Sequence, residues 1–205
     1  MTDREWDARL HIDTCGREDH AQDGDHYAYE PTDYCILERL VQSGYIGHDD
    51  FLLDYGCGKG RVSFFLHAAT GCRVTGIDYD EDMIAAARKN LRSCRTVRGS
   101  RDLGGEDPVR FLQEDALAYK VTGEDRFYFF NPFSEKILRV VLDRILDSWY
   151  EDPREMYLFF YYPEDEYVGR LMMTPELAFV DEIDCTDLYQ HPNRRERILV
   201  FEVEG

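Results

Sequence analysis

One stretch, residues 51–66, constrains this chain more than any other: Phe-Leu-Leu-Asp-Tyr-Gly-Cys-Gly-Lys-Gly-Arg-Val-Ser-Phe-Phe-Leu. The apolar run 51–53 has the character of a buried strand and stops at Asp54. Gly56, Gly58 and Gly60 then alternate through a tight loop. Apolar residues recur at Val62, Phe65, Leu66 and Ala69, a helical spacing. The unit is therefore strand, glycine loop, helix. Without Cβ atoms the loop can approach a ligand closely, and the helix start behind it offers unpaired N–H groups to a negative group.

Spacing discriminates between ligands. A dinucleotide fingerprint is G-x-G-x-x-G/A after a strand. Here the third glycine comes one residue early, and Arg61 fills the expected place. No Gly-Lys-Ser or Gly-Lys-Thr occurs, so the Walker phosphate loop is absent. The string Asp54-Tyr55-Gly56-Cys57-Gly58-Lys59-Gly60 resembles the Asp-x-Gly-x-Gly-x-Gly loop of the class I S-adenosylmethionine-dependent methyltransferases. The next segment agrees. Residues 72–77 read as a second short strand ending at Asp78. An acid about 20 residues beyond such a loop, at the tip of the next strand, is placed to accept hydrogen bonds from ribose hydroxyls. Asp80 is the better helix cap, since it precedes a run of strong helix formers with acids in the first turn.

With 205 residues and 43% hydrophobic content, the chain can bury one substantial core. Residues 1–26 are polar, with Trp6, Leu10 and Ile12 as the large apolar side chains, and are expected to form a partly ordered arm. A single domain is expected over 27–205. The net charge of −18, from 42 acids and 24 bases, argues against nucleic acid and anionic membranes as partners, and allows a basic protein or an amine. The six scattered cysteines include no Cys-x-x-Cys and no zinc spacing, and the sequence shows no basic-plus-apolar leader and no long apolar span. No metal and a cytoplasmic location are therefore expected. Cys57 fits as a small filler of the loop.

The remaining chain alternates between strand and helix patterns. A helix is expected over 33–44, capped by Thr32 or Asp33, striped by Ile36, Leu37, Leu40 and Val41 and closed by Gly44. The segment before it resembles the aromatic cover found ahead of the glycine loop in several methyltransferase groups. That resemblance implies that Tyr27, Tyr29 and Glu30 face the sulfonium. The basic and then glycine-rich stretch 90–108 reads as a helix end and surface loop. Strands follow at 109–113 and 126–130. By the same resemblance Asp115 and Ala116 meet the adenine, and Tyr79, beside Asp78, joins the cofactor-binding set. The tetrapeptide Asn131-Pro132-Phe133-Ser134 is similar to the Asn/Asp-Pro-Pro-aromatic segment of methyltransferases that modify nitrogens, except that Phe133 replaces the second proline. A helix over 135–149, a strand over 156–162, a short helix over 164–172 and two last strands, 177–183 and 198–203, complete the pattern.

The resemblance implies an α/β, Rossmann-like sheet of seven mostly parallel strands in the order 3-2-1-4-5-7-6, the last antiparallel, with helices on both faces. It implies an S-adenosylmethionine-dependent methyltransferase acting on an unidentified acceptor, with a nitrogen of a protein or small molecule as one candidate. Gly56, Gly58 and Gly60 would admit the methionine portion, Asp54 would hold the loop or the amino group, Asp78 the ribose and Asp115 the adenine. Asn131 and Tyr29 would face the acceptor. Two alternatives stay open: a non-catalytic sensor or scaffold that keeps the cofactor pocket, and a nicotinamide-dependent oxidoreductase, which Arg61 disfavours.

Overall fold

The computed structural model describes residues 1–16, 27–97, 107–191 and 193–205. Residues 17–26 of the expected arm and 98–106 of the expected 90–108 loop lie outside them.

The expected sheet is present. Strands β1 (Phe51–Tyr55), β2 (Arg73–Asp78), β3 (Val109–Gln113), β4 (Arg126–Phe129), β5 (Tyr157–Tyr161), β6 (Leu177–Asp184) and β7 (Arg197–Val203) lie in the order β3-β2-β1-β4-β5-β7-β6. The pairs β1–β2, β2–β3, β1–β4 and β4–β5 are parallel. Strand β7 runs antiparallel to both β5 and β6. Parallel strands covered on both faces read as continuous apolar runs, and β4, buried at every position, is such a strand.

Side chains alternate across the sheet and feed two cores. Tyr55, Phe129 and Phe160 stand in register on three neighbouring strands. Their rings stack at 4.8 and 4.5 Å, within 10° of parallel. They pack with Leu138, Val141 and Leu142 of the helix Glu135–Glu151. On the other face, Leu52, Tyr128 and Phe159 pack with the helices Tyr34–Ser43 and Arg61–Thr70. The helix Glu81–Ser93 starts as expected at Asp80, whose Oδ1 accepts the N–H groups of Asp82 (2.8 Å) and Met83 (3.2 Å).

Two local expectations are revised. Asp33 occupies the N-cap of the second helix but makes no side-chain cap. Its Oδ2 accepts from the Tyr189 hydroxyl at 2.7 Å, while the Thr32 hydroxyl pairs with that of Tyr128 at 3.0 Å. Long-range partners have taken both side chains from the local role. The amino-terminal segment is also more built than its composition suggests. A capping box at Thr2 starts the helix Asp3–Leu10, and Leu10, Ile12 and Thr14 are buried. Trp6 stacks at 5.7 Å on Tyr34 and meets Phe65 edge-on at 5.0 Å. An eight-residue helix is too short to hold alone in water, so these tertiary contacts hold it.

Because β1, β2, β4 and β5 are parallel, the segments following them gather at one end of the sheet. Connections diverge to opposite sides between β1 and β4, which is where open α/β sheets place a crevice.

Candidate active site

A crevice of about 1040 Å³ opens at that end. One half is walled by Gly56, Cys57, Ile77, Asp78, Tyr79 and Ala116, the other by Tyr29, Tyr128, Asn131, Tyr162 and Tyr189. Asp54 lies between them on the crevice wall.

The glycine loop folds back on β2. The N–H groups of Gly56 and Cys57 both donate to the Ile77 carbonyl at 3.0 Å. Gly58 N–H donates to Asp78 Oδ2 at 2.9 Å, and Asp80 N–H to Asp78 Oδ1 at 3.0 Å. Asp78 thus fixes the loop while facing the crevice. The three glycines do different things. Gly56, at φ +69°, lines the crevice, and a Cβ there would lie 2.5 Å from Pro132 Cβ. Gly58 and Gly60 are not on the crevice wall. A Cβ on Gly58 would lie 2.2 Å from the Tyr29 ring. Gly60 starts the following helix against Phe64 and Phe111. The loop therefore meets a ligand through Gly56 and Cys57, and its later glycines admit aromatic rings. Burial pushes the Cys57 thiol well above its ordinary range, which fits a filler rather than a nucleophile.

Tyr29 is clamped. Its hydroxyl donates to the Thr14 carbonyl at 2.8 Å, and Lys59 Nζ sits 5.2 Å from its ring centroid. Arg61 Nε donates to Thr14 Oγ1 at 2.8 Å. The amino-terminal segment thus sets the position of a side chain that lines the crevice.

Asp54 is buried and accepts from the Ser63 hydroxyl at 2.7 Å. Desolvation first, and then the neighbouring Asp78 charge, push its pKa up to about 7. The folded chain therefore retains a proton that the unfolded chain releases above about pH 4. The stability this group contributes is fully present below that pH and falls as pH rises towards 7. A cation seated against Asp54 favours its ionised form. Affinity for a cationic ligand is expected to strengthen between pH 6 and 8, and Asp54→Asn to flatten that dependence. Calorimetric titrations across this range check it. A profile unchanged in the variant would assign the dependence to another group.

The adenine-side expectation is revised for Asp115. It is exposed and absent from the crevice wall, and its Oδ1 accepts Leu117 N–H at 2.8 Å in a local turn. Glu114 and Ala116 line the crevice instead. Residue Glu114 is carried there by its N–H, which donates to the Asp78 carbonyl at 3.0 Å.

At the other half, Asn131 follows β4 with φ +40°, and Tyr162 follows β5 with φ +50°. Left-handed backbone at non-glycine residues is uncommon and concentrates at functional sites. The two are tied by Asn131 Nδ2, which donates to the Tyr162 carbonyl at 2.7 Å. That bond turns Asn131 Oδ1 the other way, where it is buried and has no hydrogen-bond donor. Asn131 lines the crevice, and its oxygen can accept a ligand's N–H or O–H once the side chain or its cover shifts to expose it. Sequence reasoning missed Tyr128, Tyr161, Tyr189 and Glu196, which also line this half. The first two sit inside apolar strands and the last two in a polar connection, so only the three-dimensional arrangement joins them.

Among the described residues no group of three or more His, Cys, Asp or Glu side chains is placed to hold a metal ion, and no helix is long and apolar enough to cross a membrane.

The family described as "Methyltransferase domain" matches residues 52–131, which carry the glycine loop, Asp78 and Asn131. Among curated proteins, a histone-lysine N-methyltransferase, H3 lysine-79 specific, from Dictyostelium discoideum is 37% identical over 62 residues, 30% of this chain and 3% of that protein. A ribosomal protein L11 methyltransferase from Burkholderia mallei is 43% identical over 54 residues, 26% of this chain and 16% of that protein. The chain thus spans less than a fifth of the length of either relative. Among solved structures, an RNA methyltransferase from Salinibacter ruber in complex with S-adenosyl-L-homocysteine aligns with TM-score 0.53 at 19% identity, covering 86% of this chain and 95% of that one. A TehB-like S-adenosylmethionine-dependent methyltransferase from Corynebacterium glutamicum aligns with TM-score 0.56 at 17% identity, covering 83% and 88%. The sheet order, the fold class and the methyltransferase resemblance of the sequence are borne out.

Proposed function

We propose that this chain, which has the fold of the class I S-adenosylmethionine-dependent methyltransferases and matches a methyltransferase domain over residues 52–131, is a methyltransferase acting on a nitrogen of a protein or small molecule. The observation that carries this reading is a crevice lined at one end by Gly56 and Asp78 and at the other by Asn131, whose buried side-chain oxygen lacks a donor.

The residues present fit the cofactor. Gly56 presents bare backbone to the crevice, its missing Cβ making room for Pro132, and Asp54 offers a carboxylate to the amino group. Asp78 faces the crevice for the ribose, with Tyr79, Glu114 and Ala116 beside it for the base. When bound, S-adenosylmethionine supplies an activated methyl group. The protein's part is then alignment and exclusion of water. Tyr29, held by Thr14, covers the loop. Asn131 Oδ1 accepts from the acceptor nitrogen and so points that atom's lone pair into the crevice.

The histone-lysine relative acts on an amine, and the S. ruber neighbour on RNA. The charge of −18 favours the first kind of acceptor over the second. A cofactor-binding sensor or scaffold would use the same cofactor half. The unpartnered Asn131 oxygen favours an enzyme, because a sensor has no need of an acceptor group there.

Asn131→Gly keeps the left-handed backbone while deleting the side chain. It should raise the barrier to methyl transfer by about 1–3 kcal/mol and leave cofactor affinity nearly unchanged. Transfer of radiolabelled methyl to lysate fractions, run beside calorimetry with S-adenosyl-L-homocysteine, measures both. Equal losses in the two would remove the acceptor role, and no labelled product from any fraction would favour the sensor.

A further inference from the structure

We propose that the acceptor half of the crevice binds an alkylammonium group, a proposal that rests on the methyltransferase reading above and names the charge of its substrate; the bound cation gives one proton to solvent before its nitrogen has a lone pair for the methyl carbon. Residues 27–33, the segment after β5 and the β6–β7 connection contribute four carboxylates to this half: Glu30, Asp33, Glu164 and Glu196. Two bases line the same crevice, Arg61 and Arg195. Arg61 is held by Asp3, Thr14 and Thr32, and the charge of Arg195 is engaged as well. Its Nη2 lies 3.7 Å from Glu164 Oε1 and donates to the Tyr162 carbonyl at 3.1 Å, and its Nε donates to the Pro163 carbonyl at 3.1 Å. The guanidinium stacks 4.4 Å from the Tyr162 ring centroid. What remains is an excess of negative charge around a cavity.

Two of these acids are held in place by tyrosines. Tyr189 donates to Asp33 Oδ2 at 2.7 Å, Tyr161 donates to Glu196 Oε2 at 2.8 Å, and the two hydroxyls lie 3.3 Å apart. Burial pushes both phenols above their ordinary range, so the hydroxyls stay protonated and donate to the two carboxyl groups. Burial also raises Asp33 above the usual carboxylate range, a cost that a neighbouring cation relieves. The walls between the acids are aromatic, with Tyr27, Phe130 and Tyr162 on the lining. Aromatic faces and carboxylates both attract an ammonium, and the aromatic faces also take the methylene stem of an amine.

A second, independent observation points to the same ligand. Asn131 Oδ1 is shut from solvent and lacks a donor. With the side chain shifted to expose that oxygen, an amine supplies N–H to it, whereas a phosphate dianion supplies none and any phosphate meets four carboxylates. A neutral alcohol satisfies the oxygen but leaves the charge unanswered.

The test is an NMR titration of the full chain saturated with S-adenosyl-L-homocysteine, using n-butylammonium, n-butanol, n-butyl phosphate and a capped Gly-Lys-Gly peptide. At least one of the two amines should bind about tenfold more tightly than n-butanol, and n-butyl phosphate should bind least. Tighter binding of the peptide identifies a protein lysine as the source of the amine, and tighter binding of n-butylammonium a free one; both support the ammonium site. In E164Q/E196Q the amine should bind about fivefold more weakly, with S-adenosyl-L-homocysteine affinity unchanged. Butanol or butyl phosphate binding as tightly as both amines, or an unaltered amine affinity in the variant, overturns the proposal while leaving the methyltransferase reading intact. Failure of S-adenosyl-L-homocysteine to bind at all overturns that reading and this proposal with it.

Discussion

Replacing Arg61 by Ala is expected to lower the free energy of unfolding by about 3–5 kcal/mol, the range for removing one partner from a buried charge network. Arg61 opens the helix behind the glycine loop, at an end whose dipole disfavours a cation. It is nevertheless 2% exposed. Its Nη1 donates to Asp3 Oδ2 at 2.5 Å and to the Thr32 carbonyl at 3.2 Å, and its Nε to Thr14 Oγ1 at 2.8 Å. The guanidinium lies 4.7 Å from the Tyr34 ring centroid. Asp7 sits in the same cluster, accepting from Thr14 N–H at 2.7 Å and from the Tyr34 hydroxyl at 2.6 Å. Truncation strands two buried acceptors and releases the amino-terminal helix from the core. Urea denaturation measures the loss, and Arg61→Lys should recover only part of it, because an ammonium cannot present the planar fork. A loss below about 1 kcal/mol would mean that this cluster is solvated rather than structural.

Gly60→Ala is the second large effect, expected at about 2–6 kcal/mol of stability. Two costs combine. The residue sits at φ +91°, and left-handed backbone costs a non-glycine residue about 1–3 kcal/mol. The added Cβ would also stand 2.6 Å from Phe111 Cζ and 2.9 Å from Phe64 Cε2, and forcing a methyl into a packed core costs about 1–3 kcal/mol. Gly44→Ala is the internal control. That residue has φ +82° with no described residue within 4 Å of the added atom, so it bears the backbone cost alone. Equal losses at the two positions would show that the ring contacts at Gly60 carry no weight.

How far the sequence disclosed this molecule follows from which interactions are local. The strand runs at 51–55 and 126–129 were legible because a doubly covered parallel strand is apolar throughout. Asp80 was legible as a cap because its partners lie two and three residues away. Sheet order came from the resemblance carried by the glycine loop, since no local pattern specifies which strands pair. The readings that shifted all involve distant partners. Thr32 and Asp33 had the right chemistry for capping, but Tyr128 and Tyr189 claimed them. The first 16 residues looked like a loose arm because their anchor is Arg61, some 50 positions away. Asp115 and Glu114 are neighbours that read alike, and only the turn to Leu117 decides which one faces the crevice. Gly58 and Gly60 appeared to serve a ligand, whereas they make room for the rings of Tyr29, Phe64 and Phe111.

The central claim is that the bend at Gly56 and the carboxylate of Asp78 hold one sulfonium nucleoside across the end of β1 and β2. Calorimetric titration of the full chain with S-adenosylmethionine, S-adenosyl-L-homocysteine and NAD, repeated with Asp78→Ala, tests it most directly. The account predicts that the first two bind, that NAD does not, and that the variant loses about 1–3 kcal/mol of affinity for both. Tight NAD binding with no response to the other two, or an Asp78→Ala variant that binds them as well as the parent chain, would contradict it.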